Sequence, residues 1–506
     1  MTEANSGGPS RRVVLGGLAA GVAAVSAFAA GCSTKVGKNA GGSPSSSAPA
    51  SDPSAQDGSD VNSAKAQAVE KLALQVVATA PVKDAVERGM MTFAASEDAT
   101  KPDAMRYARS ALDETAMLAS LNAAMGAVPD PVWVWVYAAP RKWNGYTVPG
   151  TRWYADNADT FYRTVRVQDT SSYEITIRPA EKLPAQLTFM LWDWMMFENG
   201  VNEQSDIPLG TFAITEATPR NADGSITLTA GPESADGSPN HLQLKPGTKQ
   251  IFCREIRGDW SIPAVGLSVK RTKGPAQPPK TLDELAHEAV TYIDAGIPGT
   301  LKITLTFGEL FENQLAPIRM RWAEGAKDQK MEPDEPIGPD KAVGFISSAL
   351  FNLKEDEALV MTLNMLGTEY LSVNTYRPWL VSPEHVYGTS SLNNFQAKAN
   401  PDGSFTFALA RKDPQVYNWL DVGGIPYGEI AVRWQKLTRP VLPTLKDAAP
   451  LVKVVKLGDL KEVLPPTTKW VTPEERKEQR DTRANNYELR CLGTPCEVGG
   501  ELDRPY

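Results

Sequence analysis

The feature that most constrains the fold of this 506-residue chain is a segment that occurs twice. Residues 221–228 read NADGSITL, and residues 400–407 read NPDGSFTF. An Asp-Gly pair between runs of alternating apolar and polar residues predicts a β-hairpin with a type I′ turn, because both central residues of that turn need a positive φ. The sequence therefore predicts two similar hairpins, each leading into a strand.

The similarity extends beyond the two turns at a nearly constant offset. Asn240, Leu242, Ile251 and Arg254 recur as Asn418, Leu420, Ile430 and Arg433, and Leu187, Phe189 and Leu191 align with Leu371, Val373 and Thr375. A register held over this length predicts an internal duplication. Short strands separated by Gly and Pro turns favour a sandwich or jelly roll. The predicted fold class is α+β and mainly β, with two related β-sandwich or jelly-roll-like units at residues 131–272 and 343–437.

Helical segments are predicted before, between and after these units. Apolar residues recur at helical spacing within residues 61–130, most clearly from 103 to 125. Thr281 with Glu284, and Thr472 with Glu475, have the spacing of capping boxes and predict helix starts. Residues 273–342 are therefore predicted as a helical or mixed connector, and residues 438–506 as a tail that contains a helix.

The first 60 residues have the pattern of an export signal. Arg11 and Arg12 resemble a twin-arginine motif, although general secretory export remains an alternative. The Ala/Gly-rich apolar run that follows ends in AAGC, which resembles a lipobox with Cys32 as the lipid-modified residue. An uncleaved membrane span is the other interpretation, but about 19 residues would only just cross ~30 Å of hydrocarbon. We therefore predict a signal peptide at residues 1–31, a flexible lipoprotein stalk at 32–60, and anchoring to the outer face of the cytoplasmic membrane.

The net charge argues against one class of partner, and the cysteine content indicates the compartment in which the protein is located. The formal net charge of -8 argues against nucleic acid, because that binding depends on Lys and Arg. Cys491 and Cys496 predict a disulfide in an oxidising compartment, and a metal pair, the alternative, lacks nearby ligands. Cys253, in a β-type run, is predicted to be a buried thiol.

Several short motifs occur in the second unit and the tail. They are residues 356–360, 390–393 with Gln396, Asp402-Gly403, 418–421 with Gly423 and Gly428, Arg433-Trp434, and 472–475. Together these motifs resemble the domain of unknown function 1214 family. The similarity is dense from 345 to 490 and weaker from 145 to 272, where residues 157–162 resemble the family's Asn-Pro-Asp-x-x-Tyr with Ala158 in place of Pro. The resemblance implies a β-sandwich body with helical additions, and it brings no known activity and no catalytic residues.

No catalytic or cofactor motif is recognisable in the sequence. Nucleophile-elbow, dinucleotide-binding, P-loop and His-Glu-x-x-His patterns do not occur. His241, His287 and His385 are far apart in the sequence, which favours structural roles over a metal site. Residues 221–224 are similar to part of a calcium loop but lack its later ligands. We therefore predict no catalytic, metal or cofactor site.

Two groups of residues are candidate ligand contacts. The first is Trp192, Asp193, Trp194 and Glu198, with Glu203 nearby, because carboxylates beside aromatic rings are typical of glycoside hydrolysis. The second is Tyr376, Trp379, Asn418, Trp419 and Asp421, which would form an aromatic platform with polar groups at a pocket mouth. For both groups the alternative is structural: core packing for the rings, and backbone hydrogen bonds for Asn418 and Asp421.

Taken together, these patterns predict a lipid-anchored protein of the cell envelope that binds a glycan or a lipid without catalysis. A carboxylate-based hydrolase and a structural or assembly partner are the alternatives. The partners expected are therefore the membrane, through the lipid anchor, and an envelope ligand.

Overall fold

A computed structural model describes residues 60–200, 208–308, 316–322, 343–437 and 452–500. The predicted export motif at Arg11 and Arg12, the predicted lipidation site at Cys32, and Glu203 lie outside the described residues. Within these ranges the chain has an α+β fold of several open sheets and a few helices.

Among the residues just given, three α-helices precede the sheets, one connects the two units, and two follow them. They are α1 (Ala64–Val77), α2 (Ala80–Ala94), α3 (Ala104–Met125), α4 (Leu282–Gly308), α5 (Leu460–Val463) and α6 (Pro473–Tyr487). Helix α3 has the predicted extent, and its Ala-rich surface is buried against α1 and α4. Both predicted capping boxes are present, with the amide of Glu284 donating to Thr281 Oγ1 (3.3 Å) and that of Glu475 to Thr472 Oγ1 (3.2 Å).

The first unit contains two main sheets and a small one. Its strands are β1 (Val134–Val136), β2 (Arg141–Trp143), β3 (Tyr146–Val148), β4 (Thr160–Arg166), β5 (Ser172–Arg178), β6 (Gln186–Trp192), β7 (Gly210–Ile214), β8 (Ile226–Gly231), β9 (His241–Gln243), β10 (Gln250–Ile256) and β11 (Gly266–Lys273). The main sheets have the orders β1-β4-β10-β6-β7 and β11-β5-β8-β9. In the small sheet β2 lies between β3 and a strand from the C-terminal tail, β21 (Cys496–Val498).

The second unit has the same arrangement of strands as the main sheets of the first. Its strands are β12 (Ala316–Trp322), β13 (Val343–Asn352), β14 (Glu357–Leu363), β15 (Thr368–Tyr376), β16 (Ser391–Asn393), β17 (Phe405–Ala410), β18 (Trp419–Asp421), β19 (Tyr427–Leu437) and β20 (Val452–Lys456). They form sheets of order β12-β13-β19-β15-β16 and β20-β14-β17-β18. The parallel pair β8–β9 of the first unit corresponds to the parallel pair β17–β18 of the second.

The two Asp-Gly segments form nearly identical turns, but the predicted type I′ hairpins are wrong. The φ angle is positive at Gly224 (80°) and not at Asp223, whereas a type I′ turn needs it at both. The Asp223 carboxylate accepts hydrogen bonds from the backbone N–H (3.0 Å) and hydroxyl (2.6 Å) of Ser225, which stabilises an Asx-type turn instead. The strands on either side belong to different sheets, so each turn carries the chain from the five-stranded sheet to the four-stranded one.

A single large apolar cluster includes the N-terminal helices and both units. Cys253 lies in it, and burial raises the pKa of its thiol to about 12, as expected for a buried cysteine. The predicted disulfide between Cys491 and Cys496 is present, and it closes the tail immediately before β21 pairs with β2. Among the described residues, no helix is both long and apolar enough to cross a membrane.

Candidate functional site

The loop between β3 and β4 lies at the junction of the two units. In this loop the side-chain amide of Asn157 donates to the hydroxyl of Tyr370 (2.9 Å), which in turn donates to the carboxylate of Asp159 (2.6 Å). The backbone N–H of Ala158 donates to the side-chain oxygen of Asn374 (3.1 Å). Tyr370 and Asn374 belong to β15 of the second unit, so the Asn-Ala-Asp motif joins the two units through buried hydrogen bonds.

The second unit also stabilises an unusual backbone conformation in this loop. Tyr154 and Ala155 have positive φ angles of 65° and 54°, which cost free energy in residues other than glycine. The guanidinium of Arg433 donates to the carbonyl of Ala155 (2.8 Å), and the hydroxyl of Tyr376 donates to the carbonyl of Asp156 (2.9 Å). With the backbone fixed in this way, Tyr154 and Asp156 line a cavity against the five-stranded sheet of the first unit.

We call this small cavity of about 30 Å³ the aromatic pocket. Its described lining consists of Tyr137, Trp153, Tyr154, Asp156, Tyr162, Trp192, Trp194, Gln250 and Phe252. The ring centroids of Trp192 and Trp194 are 4.8 Å apart at 50°, and those of Tyr137 and Tyr162 are 5.2 Å apart at 87°. Because the rings stand at different angles, they form several walls of the pocket instead of one stack.

Asp156 is the one ionisable carboxyl among the described residues of the aromatic pocket. One of its oxygens accepts a hydrogen bond from the hydroxyl of Ser382 (3.0 Å), and burial raises its pKa to about 7. The amide of Gln250 is already engaged, because it donates to the carbonyl of Trp194 (2.5 Å) and accepts from the hydroxyl of Thr164 (2.7 Å). The pocket is therefore lined mainly by aromatic rings, and Asp156 is its one described group that changes charge near neutral pH.

The first group of predicted ligand residues is divided by the fold. Trp192, at the end of β6, and Trp194 lie side by side in the aromatic pocket. Asp193 does not line this pocket, and Glu198 forms an ion pair with Lys249. The two Trp residues are thus brought together with Asp156, and not with the carboxylates predicted from the sequence.

Tyr376 and Trp379, from the second predicted group, are buried outside the aromatic pocket. The hydroxyl of Tyr376 supports the β3–β4 loop, as described above. The indole N–H of Trp379 donates to the carbonyl of Ala104 (2.7 Å), and its ring stacks on Phe93 with centroids 4.1 Å apart. Both side chains therefore connect the second unit to other parts of the body, and their role as ligand contacts stays a prediction.

The region around β18 is stabilised by hydrogen bonds involving the side chains of Asn418, Trp419 and Asp421. The Asn418 amide donates to the carbonyls of Lys398 (2.8 Å) and Thr406 (2.9 Å), and the Trp419 indole donates to the carbonyl of Ala410 (3.0 Å). The carboxylate of Asp421 accepts from the N–H of Gly423 (2.8 Å) and pairs with Arg480 (3.3 Å). These bonds give each side chain a structural role, and ligand binding by them stays a prediction.

A second, open cavity lies along α6, and we call it the α6 cleft. It occupies about 340 Å³, and its walls include Asp259, Trp260, Phe395, Tyr417, Glu478 and Asn486. The sequence analysis did not single out these residues as ligand contacts, because they come from three separate parts of the chain. Among the described residues, no group of three or more His, Cys, Asp or Glu side chains could hold a metal ion.

The segment that contributes most of the aromatic pocket also has a recognisable family. Residues 155–256, from the β3–β4 loop to the end of β10, match the family described as a protein of unknown function, DUF1214. This segment is a DUF1214 domain. The DUF1214 domain lies in the first unit, whereas the sequence analysis expected the denser similarity in residues 345–490, and it includes Asp156, Trp192 and Trp194 of the pocket.

A solved structure resembles the chain in fold, and a second one has a much lower similarity. An uncharacterized protein from Burkholderia cenocepacia has 20% sequence identity and a TM-score of 0.57, with 77% of this chain and 100% of that chain covered. A protein from Vibrio parahaemolyticus has 12% identity and a TM-score of 0.33, with 60% of this chain and 90% of that chain covered. No curated protein sequence matches the chain. The DUF1214 domain and these relatives carry no stated activity, so function must be argued from the cavities.

Proposed function

We propose that this protein is a non-catalytic binding protein of the cell envelope, and that its aromatic pocket takes the polar end of an otherwise apolar, lipid-type ligand. The observation that carries the proposal is the set of aromatic rings around Asp156. Burial of apolar ligand surface contributes roughly 25 cal/mol per Å², and aromatic walls supply that surface without many hydrogen bonds. With a pKa of about 7, the carboxyl of Asp156 can donate or accept a hydrogen bond at the polar end of the ligand.

A lipid suits the aromatic pocket better than a glycan does. A buried sugar needs partners for several hydroxyl groups, because each unpaired hydroxyl costs free energy. In the described lining, the polar groups are the carboxyl of Asp156, three tyrosine hydroxyls and the amide of Gln250, and both ends of that amide are engaged within the protein. The hydrolase alternative is less favoured, since glycoside hydrolysis needs two carboxyl groups on either side of the substrate.

We further propose that the chain is exported with Arg11 and Arg12 in its signal and is anchored through a lipid on Cys32. The contacts of Asp60 support this proposal, because they indicate that the folded part of the chain includes residue 60, where the predicted stalk ends. Its carboxylate is buried and accepts hydrogen bonds from the backbone N–H groups of Val61 (2.7 Å) and Leu267 (2.6 Å). The Cys491–Cys496 disulfide is also in keeping with an oxidising compartment.

Replacing Cys32 tests the anchor. We expect Cys32→Ala to abolish incorporation of a labelled fatty acid into the protein in cells and to release the body from the membrane fraction. Cys253→Ala is the matched control, because that thiol is buried in the core and cannot be lipidated in the folded protein. Equal labelling of the wild type and Cys32→Ala would exclude lipidation at this residue.

The origin of the two units by internal duplication is also a proposal. It is supported by the equivalent strand orders of the two pairs of sheets and by matching side-chain contacts in the two Asp-Gly turns. Asn221 and Asn400 each donate to a Ser hydroxyl four residues on, and both distances are 2.9 Å. We propose that each pair of sheets is a β-sandwich of jelly-roll type.

Removing an indole tests the aromatic pocket. A fluorescent fatty acid should bind the full chain saturably, and Trp194→Ala should weaken that binding roughly tenfold, because one large aromatic contact is worth about 1 kcal/mol or more. Trp470→Ala is the matched control, since Trp470 packs against a separate small apolar cluster that includes Leu460 and Leu464. Absence of saturable binding, or equal weakening by both substitutions, would contradict the proposal.

A further inference from the structure

We infer that the α6 cleft is a separate binding site for a neutral oligosaccharide. The cleft is open, and the first unit, the second unit and the C-terminal helix α6 all contribute to its walls. It is distinct from the aromatic pocket, because the described lining residues of the two cavities do not overlap. The inference is independent of the proposed lipid ligand.

An exposed aromatic ring is fixed in position at one wall of the α6 cleft. Phe395 is 53% exposed, an uncommon exposure for so large an apolar side chain. The ring lies on the backbone of Gly258, where an added Cβ would be 2.6 Å from Phe395 Cε2. The side chain of Asn393 holds the same two segments together by donating to the carbonyl of Gly258 (2.9 Å). The ring is therefore supported on one face and open to a ligand elsewhere.

Two further aromatic side chains lie beside Phe395, but Trp260 is buried and cations lie over both rings, so the aromatic surface open to a ligand is mainly that of Phe395. Trp260 is oriented by the hydrogen bond from its indole N–H to Asp159 (2.9 Å) and by the guanidinium of Arg483, 4.4 Å from its ring centroid. Tyr417 has the ammonium groups of Lys398 and Lys469 over its ring, at 5.2 Å and 5.1 Å. Aromatic faces pack well against the C–H faces of sugar rings, because each has an apolar face and a polar edge.

Helix α6 supplies a row of polar groups opposite these rings. Glu478, Thr482 and Asn486 line the cleft and are four residues apart, so they lie on one side of the helix about one turn, or ~5.4 Å, from each other. Such a row offers hydrogen bonds at intervals along the cleft. A chain of repeating hydroxylated rings would use this arrangement better than a compact ligand would.

The balance of charge indicates a neutral ligand. The described lining contains three cations, Lys398, Lys469 and Arg483, and three anions, Asp259, Glu475 and Glu478. Lys469 and Glu475 already form an ion pair (3.3 Å), and Glu475 also caps α6. With no excess of either sign, the lining of the cleft itself gives no preference for a polyanion or a polycation. Its specificity therefore rests on aromatic faces and hydrogen bonds.

Calorimetric titration of the full chain with neutral oligosaccharides tests this inference. The probes are tetra- to hexasaccharides built from glucose, mannose or N-acetylglucosamine. We expect at least one series to bind saturably and Phe395→Ala to weaken that binding roughly tenfold, the loss expected for one aromatic contact. Met91→Ala is the matched control, because Met91 is 66% exposed on α2 and does not line the cleft.

Two outcomes would overturn the inference. One is that none of these oligosaccharides binds, including the case in which unstructured peptides bind instead. The other is that an oligosaccharide binds with equal affinity to the wild type and to Phe395→Ala. Gly258→Ala is a second probe of the same wall, since its added Cβ must displace the Phe395 ring, and we expect it to weaken binding as well. Fatty-acid binding in the aromatic pocket should be unchanged in Phe395→Ala, which separates this test from that of the proposed function.

Discussion

At the scale of single residues, burial outweighs nearby positive charge in setting the pKa of Asp60. Arg163 lies 3.7 Å away and two backbone N–H groups donate to the carboxylate, yet desolvation raises the pKa from 3.8 to about 6. The folded protein therefore holds this proton more tightly than the unfolded chain does. It follows that protonated Asp60 stabilises the fold at low pH, and that this contribution is lost as the pH rises from about 4 through about 6.

Asp60→Asn should remove this pH dependence. One pKa unit corresponds to about 1.4 kcal/mol, so the free energy of unfolding of the variant should rise relative to that of the wild type by on the order of 3 kcal/mol between pH 4 and pH 6.5. Chemical denaturation at a series of pH values measures the difference. The variant and the wild type share all their other carboxyl groups, so the contributions of those groups to the free energy of unfolding cancel in the difference.

Asp223→Asn provides a control of opposite sign for this experiment. Hydrogen bonds from Ser225 lower the pKa of the exposed Asp223 carboxyl, so its stabilising contribution is present at neutral pH and is lost as the pH falls. If Asp60→Asn gave the same pH profile as the wild type, Asp60 would have an ordinary pKa in the folded protein.

At the scale of turns and strands, the two Asp-Gly turns depend on glycine for backbone reasons alone. Gly403 has a φ of 85°, and a Cβ added there would meet no other atom within 4 Å. Gly403→Ala should therefore destabilise the protein by about 1 to 2 kcal/mol through strain in the left-handed region. A thermal melt should show a decrease in Tm of a few degrees.

Gly458→Ala is the matched control for this substitution. Gly458 also has open space around the position of a Cβ, and its φ is not in the positive range. We expect its stability to be close to that of the wild type. Gly224→Ala should match Gly403→Ala, because the two turns have the same hydrogen bonds. Equal effects of the Gly403 and Gly458 substitutions would contradict the role assigned to the backbone.

The local elements could be predicted where neighbouring residues determine them. The extent of α3 and the caps at Thr281 and Thr472 follow from spacing within a few turns of helix. The turn type could not be predicted from Asp-Gly, because the side chain of Asp223 selects a different turn by bonding to Ser225. The flanking strands also pair elsewhere, and such pairing depends on contacts that are distant in sequence.

At the scale of the whole molecule, the cavities are assembled from segments that the sequence separates widely. Trp192 and Trp194 could be singled out because they are close in sequence. Asp156 could not, because its position depends on the loop conformation that Tyr376 and Arg433 of the second unit stabilise. The α6 cleft is even harder to predict from the sequence, because the ring of Phe395 in the second unit packs on Gly258 of the first unit.

The boundaries of the DUF1214 domain limit which segments of such a gene can be transferred by recombination. Residues 155–256 exclude β1 and β11, which are outer strands of the two main sheets of the first unit. They also include Asn157 and Asp159, whose hydrogen-bonding partner Tyr370 lies in the second unit. A recombination event that moved this segment alone would transfer two incomplete sheets and a loop without its partner. We therefore expect the smallest segment that can fold after such a transfer to be longer than residues 155–256.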